Sequence, residues 1–289
     1  MKKYFLMVAS LVALAACEQE EKTTASGFKY QTLGEETKVE ADSGNFFIMN
    51  LKLSAGDSVI YSSQERGMPA DYPVMPTLKE REEGTIVEVF QLLASNDSIY
   101  AEIPATDFYK GGPGLPPSID STTVMKVELG LIDILSAEDR MTYMTEANQK
   151  LQEKQKKEDL AKIEEYIAEN NLENVESTES GLHYIVTKEG EGESPEASDV
   201  VKVHYTGFLL DGTKFESSKD NGEPVTFPLN RVIPGWTEGV QLMQEGAEYK
   251  FIIPSSMAYG PRGNRSIPPN SVLIFDVELL DINPENEEQ

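Results

Sequence analysis

The sequence predicts an α+β protein. Two copies of one antiparallel sheet, each packed on a short helix, are joined by a long charged α-helix. Three observations predict this. Residue pairs recur at a constant spacing of 150 in the two halves of the chain; neither Gly nor Pro occurs between Leu131 and Ser180; and each half carries short β-branched and aromatic runs separated by turn residues. At 289 residues the chain has room for about two domains of ordinary size.

The N-terminus comes first in chain order. Lys2 and Lys3 precede a short apolar run from Phe5 to Ala16, too short to span a bilayer. The run ends in LAAC, with Cys17 the single cysteine of the chain. A basic start, an apolar stretch and small residues before one Cys read as a secretory signal over residues 1–16. The ending resembles a bacterial lipobox. Cys17 is then the lipidated first residue of a polar tether over 17–26, and the chain is expected in the bacterial cell envelope, held to the membrane by its lipid. No second cysteine is left for a disulfide.

The first copy is expected over residues 27–135 and the second over 177–284, followed by an acidic tail at 285–289. Gln91-Leu92 answers Gln241-Leu242, Ile103-Pro104 answers Ile253-Pro254, Tyr109 answers Tyr259, and Val127-Glu128-Leu129 answers Val277-Glu278-Leu279. Upstream, SGFKY at 26–30 resembles SGLHY at 180–184, and Ser62-Ser63 resembles Ser217-Ser218. The pattern reads as a tandem duplication.

Between the copies, residues 136–176 form the linker. Ser136 with Asp139 three residues on is a helix cap. Met141, Met144 and Leu151 share one helical face, as do Leu160, Ile163 and Ile167. Gln152 to Asp159 is polar throughout, which predicts a solvent-bridging middle between packed ends. The apolar ends also allow a homodimer.

In the second copy, 200–205, 250–253 and 272–279 are strand candidates, and Leu210-Asp211-Gly212 is a turn signal. The one short helix candidate runs from Trp236, the only Trp, to Met243, with Trp236, Val240 and Met243 on one face. One helix on an antiparallel sheet is an α+β layer arrangement.

Several function classes fall away. With 50 acidic against 25 basic residues the chain repels polyanions, so nucleic acid is not a partner. Two histidines, His183 and His204, and one cysteine exclude a Cys/His zinc site, and no other metal site or cofactor is expected. No G-x-S-x-G elbow and no phosphate-binding G-x-x-x-x-G-K loop is present.

The motifs VHYTGFLLDGTKFESS at 203–218, VIPGWTEGV at 232–240, Tyr259-Gly260, IPPN at 267–270 and FDVELL at 275–280 together resemble the FKBP-type peptidyl-prolyl cis-trans isomerases, over Gly181 to Ile282. The resemblance implies a half-barrel of antiparallel strands wrapped over the short helix. It implies an apolar pocket that receives a proline ring, with Trp236 as its floor. The catalytic residues it implies are Tyr205, Phe215, Glu216, Trp236, Tyr259 and Phe275. Phe227, Val232, Ile233 and Ile267 are implied substrate-binding residues. The Tyr259 hydroxyl and the backbone N–H of Ile267 are expected to hold substrate carbonyls. The partners implied are proline-containing polypeptides in unfolded or extended form. Two positions depart from the family pattern: Glu216 stands where Asp is common, and Val225 where an aromatic often sits.

Such a pocket needs no nucleophile. An X-Pro bond turns over a barrier of roughly 18–20 kcal/mol, set by amide resonance. The twisted amide is less dipolar than the planar one, so an apolar pocket raises the ground state more than the transition state. In the first copy, the spacing of 150 sets Ile86 against Trp236 and Met125 against Phe275, while Ile60 matches Phe215 and, depending on a gap, Asn50 or Leu51 falls against Tyr205; only Tyr109 persists. That copy is expected to fold alike without being an isomerase. It reads as a chaperone-like surface, with Tyr72-Pro73-Val74-Met75-Pro76 as its feature, or as a spacer or dimerisation domain. The function expected of the whole chain is isomerisation of prolyl bonds in exported proteins. A non-catalytic holdase on the same scaffold is the competing class.

Overall fold

The computed structural model describes residues 21–33, 44–75, 83–94, 97–110, 112 and 114–284. The expected signal, Cys17 and the next three residues of the tether, Pro76 and the acidic tail lie outside them. The chain forms two compact units, Met1–Asn148 and Gln149–Gln289.

The first unit runs β1 (Lys22–Thr23), β2 (Lys29–Thr32), β3 (Phe46–Ala55), β4 (Ser58–Ser62), β5 (Ala70–Pro73), α1 (Ile86–Gln91), β6 (Ser98–Pro104), α2 (Ala105–Phe108) and β7 (Val124–Leu135). Its seven strands lie in the order β1-β2-β6-β7-β3, with β4 and β5 both on β3. All pairings are antiparallel and the sheet is open. Lys22 and Thr23 already pair with Tyr30 and Lys29, so the sheet begins inside the stretch expected to be tether. Phe47, Met49, Val89, Leu93, Ile99, Ile103 and Val127 form the buried core.

Helix α3 (Ala137–Glu169) crosses the boundary between the units. Its start is capped as predicted: Ser136 Oγ accepts the Asp139 N–H at 3.1 Å. Within the first unit, Arg140 Nε reaches Asp71 at 2.5 Å, and its guanidinium lies 4.6 Å above the Phe46 ring.

The second unit continues with β8 (Glu176–Ser177), β9 (His183–Lys188), β10 (Val200–Leu209), β11 (Lys214–Ser217), α4 (Ser218–Asn221), β12 (Val225–Pro228), α5 (Pro234–Val240), β13 (Glu248–Ile253) and β14 (Leu273–Ile282). Its strand order is β8-β9-β13-β14-β10, with β11 and β12 on β10: element for element, the order of the first sheet. Both sheets are antiparallel and open, and the molecule is α+β.

Alternation along β14 explains the layers. Leu273, Phe275, Val277 and Leu279 face a core shared with Trp236, Val240 and Met243 from the α5 region. Ile274 and Ile252 of β13 face the other way and pack on Ile163 of α3. The second sheet is therefore covered on both faces, and this corrects the reading of the linker. Asp159, in the stretch expected to be solvated, is fully buried, while Met141 and Leu160, expected at packed ends, are 69% and 43% exposed. The docked face of α3 follows Asp159, Ile163 and Ile167, and the polar member is held there by hydrogen-bond donors.

The pairing register also corrects the match between the copies. Ile103 faces Met125, whereas Ile253 faces Leu273, so Met125 answers Leu273 rather than Phe275. Val127 is then the counterpart of Phe275. Leu51, opposite Leu129, is the counterpart of Tyr205, opposite Val277. Ile60 does answer Phe215, because each sits at the bulge skipped by the neighbouring strand.

Candidate active site

Four elements bring the predicted rings together. Pro234 occupies the first turn of α5, where its missing N–H costs nothing, and sets Trp236 in that turn. Helix α5 lies close on β13 because Gly239 has no side chain: a Cβ there would stand 2.8 Å from the Phe251 ring. Strand β10 supplies Tyr205, β14 supplies Phe275 and β12 supplies Phe227. In the sheet, Gly207 pairs with Glu216 on one side and with Phe275 on the other.

The rings meet around the indole. Trp236 contacts Tyr205 at 5.1 Å and 86°, Phe275 at 5.2 Å and 88°, and Phe227 at 5.5 Å and 63° between centroids and planes. These are edge-on contacts, the arrangement favoured by the ring quadrupoles. They hold Trp236 at 4% exposure as the floor of a cavity of about 540 Å³. The lining is Tyr205, Glu216, Val225, Phe227, Arg231, Val232, Ile233, Pro234, Trp236, Tyr259 and Phe275.

The polar atoms lie at the cavity's wall. Burial, the negative charge of Glu216 and its hydrogen bond hold the Tyr205 phenol well above the ordinary range. Burial and then Glu216 raise the Tyr259 phenol. Both hydroxyls stay protonated at neutral pH and remain donors. Tyr259 is 39% exposed, and its hydroxyl has no partner among the described residues.

Eight of the ten implied pocket residues lie on the cavity. Two do not. Phe215 stands behind the wall, edge-on to Phe275 at 5.6 Å and 87°. It fills the space beside Gly207. Ile267 is buried in the core at 2% exposure, and its N–H donates to Asn264 Oδ1 at 2.9 Å. The backbone donor expected there is thus already engaged, because Asn264 ties its own loop by accepting from Ser266 and Ile267. The N–H of Ile233, on the lining, has no protein acceptor among the described residues.

Arg231 and Pro234 are lining residues that the sequence reading missed; the only signal was their place in the run around Val232-Ile233. Tyr205 and Val225 stand where expected. His204 lies off the lining, with Nδ1 3.0 Å from the Ser218 hydroxyl that also accepts the Tyr205 N–H. Among the described residues no group of three or more His, Cys, Asp or Glu could hold a metal, and no helix is long and apolar enough to cross a membrane.

Residues 191–280 match the model of the FKBP-type peptidyl-prolyl cis-trans isomerases, and residues 119–186 match that of the domain amino-terminal to such isomerases. The chain is 52% identical over 178 residues to the FKBP-type peptidyl-prolyl cis-trans isomerase FkpA of Aeromonas hydrophila, covering 57% of this chain and 65% of that one. It is 54% identical over 119 residues to the FKBP-type 22 kDa isomerase of Escherichia coli K12, covering 40% and 58%. The chain thus spans less than two thirds of the length of these curated relatives. The crystal structure of FkpA from Escherichia coli is similar at 42% identity and a TM-score of 0.41, over 51% of this chain and 71% of that one.

Proposed function

This chain belongs to the FKBP-type peptidyl-prolyl cis-trans isomerase family, and from that premise we propose that it isomerises X-Pro bonds in the cavity floored by Trp236. The observation that carries the reading is the indole held edge-on by three rings beneath an apolar space large enough for a prolyl residue. Apolar walls from Phe227, Val232, Ile233 and Phe275 strip water from the prolyl amide. Its planar, more dipolar form then loses more solvation than its twisted form, which lowers the barrier by differential binding. The Tyr259 hydroxyl, kept neutral, donates to one substrate carbonyl. The free N–H of Ile233 replaces that of Ile267 as the second donor and fixes the orientation. No proton is transferred and no covalent bond forms.

The test is a proline-limited refolding assay on the full chain. The wild type should accelerate the slow phase, and Trp236→Ala should remove most of that acceleration. A slow phase indifferent to wild-type protein overturns the reading.

The finer parts of the reading rest on sequence and, for the first unit, on strand register. The first unit is a diverged half-barrel of the same kind, with Ile86, Leu51 and Val127 in the places of Trp236, Tyr205 and Phe275. Cys17 carries the lipid, and the protein assists exported polypeptides at the cell envelope. Labelling by a fatty-acid analogue should be lost in Cys17→Ser. A holdase role is supported by the first unit, which keeps the strand order without the aromatic set; it predicts suppression of aggregation that survives Tyr259→Phe.

A further inference from the structure

We propose that Asp159, on helix α3 and outside the catalytic sheet, is a positioning residue for Tyr259. The inference rests on the isomerase reading. Asp159 is fully buried, and both oxygens of its carboxylate accept hydrogen bonds. Oδ2 accepts the Ser255 N–H at 2.8 Å and the Ser255 hydroxyl at 2.6 Å, and Oδ1 accepts the Gln155 side-chain amide at 2.8 Å. A buried carboxylate is costly unless donors satisfy it, so its presence selects a geometry. Apolar docking of α3 on the sheet is already supplied one turn further on by Ile163 against Ile252 and Ile274. What Asp159 adds is direction. A carboxylate gripping both donors of one residue fixes where Ser255 stands, which an apolar contact does not do.

Ser255 begins the segment that delivers Tyr259. It is 1% exposed and opens a tight turn in which Met257 N–H bonds Pro254 C=O at 2.9 Å and Ala258 N–H bonds Ser255 C=O at 3.1 Å. Met257 and Ala258 pack into the core. Beyond the tyrosine, Gly260 C=O accepts the Asn270 N–H at 2.9 Å. Tyr259 lies between these anchors with its own hydroxyl unpartnered among the described residues. The place of that hydroxyl over the cavity is therefore set by its backbone, and one of the two ends of that backbone is held from α3.

The experiment is a double-mutant cycle on the full chain, reading kcat/KM for a prolyl peptide below the unfolding transition. If Asp159 acts through the Tyr259 hydroxyl, Asp159→Asn lowers kcat/KM about 5–10-fold when Tyr259 is present, and less than about 2-fold in Tyr259→Phe. Equal losses in both backgrounds, or an unchanged rate in folded Asp159→Asn, overturn the proposal, because a merely stabilising contact moves the melting temperature alone. Should Asp159→Asn fail to fold, Ser255→Ala keeps the carboxylate and the backbone bond and takes its place in the cycle. A second readout does not depend on activity. The ¹⁹F resonance of fluorotyrosine at position 259, assigned by its absence from Tyr259→Phe, should shift in Asp159→Asn; an unmoved resonance overturns the proposal even if the wild type proves to be no isomerase.

Discussion

Trp236 and Phe275 meet edge to face, with centroids 5.2 Å apart and planes at 88°, although one comes from the short helix and the other from the sheet beneath it. Each is 4% exposed. The same Phe275 ring also meets Tyr205 and Phe215, so it ties the cavity floor to two neighbouring strands. Phe275→Ala should therefore cost about 3–5 kcal/mol of stability. Urea unfolding measures that cost, and the Trp236 fluorescence of the still-folded fraction should change because its edge-on partner is gone.

Gly207 is the position where the wall tolerates no side chain. A Cβ there would stand 2.6 Å from Phe215 Cζ and 2.8 Å from Phe275 Cε1, both ring atoms of packed aromatics. Gly207→Ala should destabilise the second unit by about 1–3 kcal/mol through overpacking. Near-UV circular dichroism should show the rings displaced, and prolyl isomerisation should fall.

Glu216 acts on two phenols. Its charge contributes to raising both Tyr205 and Tyr259, after burial in each case. Glu216→Gln should lower the titration midpoints of both hydroxyls, read by ultraviolet absorbance. Glu216→Asp should leave kcat/KM within about threefold, because the longer side chain already reaches Tyr205 despite the departure from the family pattern.

The raised phenols also fix a pH dependence of stability. A Tyr with its folded pKa above the ordinary value of about 10 binds its proton more tightly in the fold than in the unfolded chain. Its contribution is complete below pH 10 and is lost as pH rises through the folded value. Urea midpoints should fall above about pH 10, and fall less steeply in Tyr205→Phe. Isomerisation should stay level from pH 7 to about 9, since both donors remain protonated there.

Much of the site was legible in local sequence. Pro-Gly-Trp marked the start of the short helix and the pattern along 272–279 marked the strand carrying Phe275, while Trp236 as the floor was implied by the family resemblance. The misses have a common cause. Phe215 and Ile267 were read as cavity residues because they belong to the motifs, but a strand bulge and an Asn-bound loop turn them to other work. Motif membership records that a residue matters, not which way it faces. Arg231 was invisible for the opposite reason: it lies on the lining without any motif of its own.

By itself the sequence determined the α+β class and the capped long helix, because periodicity, turn residues and caps act within a few residues along the chain, and the family resemblance named the rings. Tertiary structure alone decided the pairing register, which moved the counterpart of Phe275 to Val127. It alone decided that Asp159, chemically a surface residue, is buried against Ser255. Both outcomes depend on partners far away in sequence, and the energy of a buried carboxylate or of a strand register exists only once those partners are in place.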